Sequence, residues 1–206
     1  MIAIVDYGMG NLRSVQKALE RLGAKAVVTD DPGVLDAAQG IILPGVGAFG
    51  DAMNRLNARQ LVAPVQRQVE EEKPLLGICL GMQLLFDESE EMGHHQGLGL
   101  LPGRVVRFPE GELKVPHVGW NQLHDVRGAP LEGIMPEAYA YFVHSYYVEA
   151  EEPSDVMATT EYGADFASVV GRDLIWGAQF HPEKSQEVGL RLLENFSHLV
   201  SQGNQP

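Results

Sequence analysis

The sequence predicts an α/β protein, with a doubly wound, mostly parallel sheet flanked by helices and an antiparallel extension in its C-terminal half. Three observations carry this. Short apolar runs alternate with amphipathic helical segments through residue 86, which is how a parallel sheet covered on both faces reads. Beyond residue 100 the apolar runs are joined by turn residues, as in hairpins. An amphipathic segment then closes the chain.

In order, residues 2–5 read as a buried strand. Residues 11–22 place Leu12, Val15, Ala18, Leu19 and Leu22 at helical spacing, and Gly23 follows as a stop signal. Residues 24–29 and 40–43 read as strands, and 44–50 as a glycine-rich turn. Residues 52–69 form one or two helices, with Pro64 breaking or restarting the pattern. Residues 74–78 are a fourth strand and 80–86 a helix. Strands are then expected over 103–108, 139–149, 155–161, 167–170 and 174–180, extending the same sheet. Residues 185–200 form the closing helix, and 201–206 a frayed tail. The acidic runs 70–72 and 88–91 read as solvated helix ends.

Composition narrows the function. The 206 residues are 45% hydrophobic and 21% charged, the balance of one globular domain spanning 1–206. Lys plus Arg number 15 against 28 Asp plus Glu, a net charge of −13. Such acidity repels phosphate backbones and anionic bilayers, so neither nucleic acid nor membrane is an expected partner. No signal peptide is legible, and no run reaches the roughly 20 apolar residues of a membrane span. The expected compartment is the cytoplasm. One cysteine, Cys79, excludes an internal disulfide and a thiol-based metal site.

Cys79 sits in Gly77-Ile78-Cys79-Leu80-Gly81, at the switch from an apolar strand to a helix. This is the cysteine version of a nucleophile elbow. The helix terminus favours a thiolate, and a free thiol with a pKa of about 8.5 needs that help. A small buried hydrophobe is the bland reading, and on the elbow alone the two are even. Phe180-His181-Pro182-Glu183 shifts the balance. A thiol needs a base, and a base needs an orienting acceptor; His181 and Glu183 supply both. Pro44-Gly45-Val46-Gly47-Ala48-Phe49-Gly50 follows the third strand, where its amides can serve an oxyanion. A plain βα turn is the simpler reading there. A phosphate loop lacks the Lys-Ser/Thr of its motif.

Together, PGVGAFG, GICLGMQLLF and QFHPEKS resemble, in that order, the class I (triad-type) glutamine amidotransferases. The resemblance spans essentially the whole chain. DYGMGNLRSV, VPHVGWNQL, YFVHSYYV and Lys184-Ser185 are most similar to the branch that forms the glutaminase subunit of imidazole glycerol phosphate synthase, in histidine biosynthesis. The resemblance implies a glutaminase with Cys79, His181 and Glu183 as triad. It implies an oxyanion hole from Leu80 and from Gly45, Val46 and Gly47. Glutamine would be held by Gly47, Gln83, Ser145 and Tyr146. No metal or organic cofactor is required. A heterodimer with a cyclase subunit that consumes the ammonia is implied, with Asn11, Trp120, Tyr141 and Lys184 on the partner face.

Other signals are set aside. Gly8-Met9-Gly10 fails as a dinucleotide fingerprint because Arg13 takes the third glycine position. His94-His95 lacks ligand partners at metal spacing. His117, His124 and His144 carry no spacing argument for catalysis. The competing readings are a glutaminase serving another synthase, a γ-glutamyl hydrolase, and a non-enzymatic flavodoxin-like module with a structural Cys79.

Overall fold

The computed structural model describes residues 1–109, 111 and 113–202. Its first half runs β1 (Ile2–Val5), α1 (Leu12–Arg21), β2 (Ala26–Thr29), α2 (Pro32–Asp36), β3 (Gly40–Gly45), α3 (Phe49–Ala58), α4 (Val62–Glu70), β4 (Leu75–Cys79) and α5 (Leu80–Gln83). Next come β5 (Phe86–Ser89), β6 (His95–Gln96), β7 (Leu101–Arg107), β8 (His117–Gln122), β9 (Tyr139–His144) and β10 (Tyr146–Ala150). The chain ends with β11 (Val156–Glu161), β12 (Asp165–Arg172), β13 (Ile175–Ala178) and α6 (Gln186–Gln202).

A seven-stranded sheet has the order β11-β12-β13-β4-β3-β1-β2. From β2 through β13 every neighbouring pair is parallel, and β12 and β11 extend the edge antiparallel. Alternate residues along each central strand point to opposite faces. Ile2, Ile4, Ile42 and Leu76 bury against Val15 and Leu19 of α1 and Leu192, Leu193 and Phe196 of α6. Ala3, Val5, Ile41, Leu43 and Leu75 bury against Phe49, Leu56 and Val65 of α3 and α4. Both faces are covered, so the strands read as continuous apolar runs. Pro64 falls in the first turn of α4, where a missing amide is tolerated.

Four expectations need correction. Residues 80–86 are not one helix, because α5 stops at Gln83. The carbonyls of Leu84, Leu85 and Phe86 are taken by amides of residues 98–101, so long-range pairing overrides the local helix. The second-half strands do not all extend one sheet. A four-stranded sheet of order β10-β7-β5-β6 and a β8–β9 ribbon stand apart. Residues 139–149 are therefore two strands divided at Ser145, one in each unit. The acidic run 88–91 is no helix end either: Glu88 lies on β5, and Glu91 is half-buried against α3. The run 70–72 does end α4. In the expected tail, Ser201 and Gln202 belong to α6, and residues 203–206 lie outside the described residues.

Candidate active site

The carboxyl ends of β3, β4 and β13 lie side by side, with Gly45 in register with Cys79 and Ile78 with Ala178. Open α/β sheets present their ligand sites at this edge. Cys79 has φ 54° and ψ −113°, a left-handed conformation rarely adopted by a side-chain-bearing residue. The flanking glycines supply space. A Cβ on Gly81 would lie 1.7 Å from the Leu43 carbonyl oxygen, and one on Gly77 would lie 2.6 Å from the Gly81 carbonyl oxygen. The elbow can therefore press directly onto β3. Leu80 opens α5, so its amide has no acceptor within the helix.

His181 follows β13 and lines the same cavity as Cys79, close enough for the two groups to interact. Its Nδ1 lies 3.0 Å from Glu183 Oε1, and both side chains are buried. Burial works against a charge on His181. Interactions with Cys79 and Glu183 outweigh it and raise the pKa to about 9. An imidazolium facing a sulfur nucleophile, oriented by a carboxylate, is the arrangement that activates a thiol for acyl transfer. The turn holding it is tightly braced. Ser185 Oγ donates to the His181 carbonyl at 2.7 Å, and the Tyr141 amide donates to Ser185 Oγ at 3.0 Å.

These residues open onto a cavity of about 350 Å³. Val46, Gly47, Cys79, Leu80, Gln83, Ser145, Tyr146 and His181 all line it, and so does Lys184, expected on the partner face. Gly45 lies behind this wall, packed on Tyr7, whose hydroxyl donates to the Pro44 carbonyl at 2.8 Å. Burial, reinforced by the charge of Cys79, raises the Tyr7 pKa, so the hydroxyl stays a donor. Gly47 has φ +100°, a conformation suited to glycine. Trp120 and Tyr141 meet edge to face at 5.9 Å, and Lys184 Nζ lies 5.9 Å from the centre of the Tyr141 ring. Three of the four predicted partner-face residues thus form one chain running from the cavity mouth. Asn11 is not among them; it precedes α1, next to Gly10, which packs on Pro44.

Sequence reasoning missed three residues here. Gln179 is fully buried, and its Nε2 lies 3.9 Å from Cys79 Sγ. Gln83 Nε2 donates to Gln179 Oε1 at 3.0 Å and to the Tyr146 carbonyl at 2.9 Å, which fixes both amide orientations. A polar residue inside the apolar run 174–180 was the available signal. Glu91 lines the cavity and accepts from the Phe49 amide at 2.7 Å, and burial raises its pKa above the ordinary carboxylate value. Neither Glu91 nor Tyr7 carries a local signal, because each acts across the fold. Among the described residues no cluster of His, Cys, Asp or Glu could hold a metal ion, and no helix is long and apolar enough to cross a membrane. His94 pairs with Glu88 at 3.3 Å and is largely exposed.

Comparison with known proteins bears on the same arrangement. The chain is 58% identical to the imidazole glycerol phosphate synthase subunit HisH of Syntrophotalea carbinolica, over 97% of this chain and 100% of that one. It is 57% identical to the subunit of the same name from Geobacillus kaustophilus, over 95% of each. Among solved structures, a glutamine amidotransferase superposes with a TM-score of 0.78 at 23% identity, covering 98% of this chain and 100% of that one. PurLQS from Thermotoga maritima gives 0.74 at 21%, covering 97% and 98%. These two likenesses concern the fold. The family model for glutamine amidotransferase class-I matches residues 3–199, a span that takes in the elbow, the glycine loop and the His181 turn, and the chain belongs to that family.

Proposed function

We propose that the chain is the glutaminase subunit of an imidazole glycerol phosphate synthase, a single domain over 1–206 that works in the cytoplasm beside a cyclase subunit. The observation that carries this is Cys79 and His181 on one cavity sized for an amino acid, with His181 hydrogen-bonded to the buried Glu183. The names of relatives at 57–58% identity support the particular synthase.

In this reading, His181 holds the thiol proton and Cys79 attacks the side-chain carboxamide of glutamine as the thiolate. The tetrahedral oxyanion is met by the Leu80 amide and by amides of the Gly45-Val46-Gly47 loop. Each such donor contributes about 10²–10³ in rate. His181 then returns its proton to the departing ammonia. Water, deprotonated by the same ring, hydrolyses the γ-glutamyl thioester. Glu183 holds the tautomer and the charge of His181, while Gln83, Ser145 and Tyr146 hold the substrate head group.

Ammonia is protonated in neutral water and stops being a nucleophile, so a consuming subunit must sit over the cavity. The outer face of the β8–β9 ribbon suits this role: Val118, Trp120, Tyr139 and Val143 are exposed together beside Tyr141 and Lys184. Clustered exposed aromatics mark docking surfaces. With a cyclase subunit present, glutamine should yield stoichiometric glutamate. Cys79→Ser should reduce that rate by about 10³-fold or more. A Cys79→Ser complex hydrolysing glutamine at the wild-type rate would exclude the mechanism.

A further inference from the structure

Two buried histidines outside the triad are bonded to each other. His117 on β8 and His144 on β9 are register partners, with Nδ1 of the first 3.1 Å from Nε2 of the second. His144 Nδ1 lies 2.9 Å from the Tyr146 carbonyl oxygen. A carbonyl can only accept, so His144 carries its proton on Nδ1. Burial lowers His117 to about 4. Burial also lowers His144, to about 3, with the charges of His117 and His181 acting in the same sense against the bond to Tyr146. Both rings are neutral at neutral pH. The free Nε2 of His144 must then accept, so His117 donates from its own Nδ1. That leaves His117 Nε2 to accept from Asn121 Nδ2 at 3.3 Å. Asn121 is itself oriented by a second donation, to the Glu161 carbonyl at 2.9 Å.

Every hydrogen in the series therefore points one way, from Asn121 through His117 and His144 to Tyr146. The series ends on the cavity wall. Tyr146 O also receives Gln83 Nε2 at 2.9 Å, so both of its lone pairs are occupied. The preceding carbonyl, that of Ser145, accepts the Phe108 amide at 3.1 Å. Stacking contacts with Tyr162 at 4.0 Å and Phe142 at 5.1 Å restrain the His117 ring.

We propose that Asn121, His117 and His144 form a one-way hydrogen-bond series that positions the 145–146 main chain of the glutamine pocket by saturating the Tyr146 carbonyl. The inference rests on the glutaminase reading and adds positioning residues to it. Fixing this peptide sets the angle at which Ser145 and Tyr146 meet the substrate. Neutrality of His144 also spares His181 a second positive charge nearby.

The test uses the complex with its cyclase subunit and two substitutions. In His144→Gln the new amide lies near the former Nε2 and the bond to Tyr146 is lost. The KM for glutamine should rise about tenfold, the equivalent of one hydrogen bond, with kcat changed less. In His144→Asn the side-chain amide lies near the former Nδ1, restores the donation and recovers most of that loss. An unchanged KM in His144→Gln would overturn the inference, as would equal KM increases in both variants. Nitrogen-15 spectra of histidine-labelled wild type give a second readout, independent of turnover. Both rings should carry the proton on Nδ1 and stay neutral down to pH 5; an Nε2-protonated ring, or one titrating near 6.5, would overturn it. If the wild-type complex left glutamine intact, the glutaminase reading would fall and this inference with it. Turnover by the wild type with an unaffected His144→Gln overturns this inference alone.

Discussion

His181 holds its proton against burial because Cys79 and Glu183 compensate for the lost water. Both partners hold the pKa up, which sets the direction of a titration when either is changed. In wild type the His181 ring should titrate near 9. In Cys79→Ser it should titrate lower, as followed by imidazole proton NMR. The sign for stability follows. A folded-state pKa above the usual 6.5 contributes stability that is complete below 6.5 and is lost as pH rises through about 9. The melting temperature should fall over that window, less steeply in Cys79→Ser. The proposed triad was legible in the sequence because each part is local: an elbow of five residues and a base two residues from its orienter. Gln179, Tyr7 and Glu91 were not, since each reaches its partner across more than 35 positions.

Elements here are set by close approach as much as by apolar period. Gly189 on α6 illustrates this, since a Cβ there would lie 1.9 Å from the Pro182 carbonyl oxygen. The helix thus rests directly on the turn that carries His181 and Glu183. Gly189→Ala should displace that turn and reduce glutaminase activity by about 10²-fold, the usual cost of a misplacement near 1 Å, while circular dichroism shows the helices retained. Gly81→Ala should be more severe, because the obstruction is the main chain of β3 in the sheet interior. Its soluble yield on expression is the measure. The central strands and the flanking helices α1, α3, α4 and α6 were readable from periodicity. Helix α5 was overextended because Leu84, Leu85 and Phe86 are all fully buried, and a run buried on every side has no period to read. The strand expected at 139–149 hid its division because Ser145 breaks no pattern; its carbonyl simply turns to Phe108. Helix α2 is a five-residue turn capped by Asp31, too short for a periodic signal.

For the whole molecule, the cavity, the Lys184–Tyr141–Trp120 chain and the ribbon face share one end of the sheet. Trp120→Ala should weaken association with the cyclase subunit at least about tenfold, measured by titration calorimetry, with the His181 titration unchanged. The net charge of −13 is compatible with a basic patch on that partner, and raised salt would then slow association. The backbone at Cys79 has a consequence for the whole chain. A side-chain-bearing residue held at φ 54° costs on the order of 1–3 kcal/mol, and only the rest of the fold keeps it there. Glycine adopts that conformation freely. Cys79→Gly should therefore melt at a higher temperature than Cys79→Ala. Evolution toward greater heat tolerance would meet a fixed obstacle here, since the substitution that relaxes this backbone also removes the proposed nucleophile.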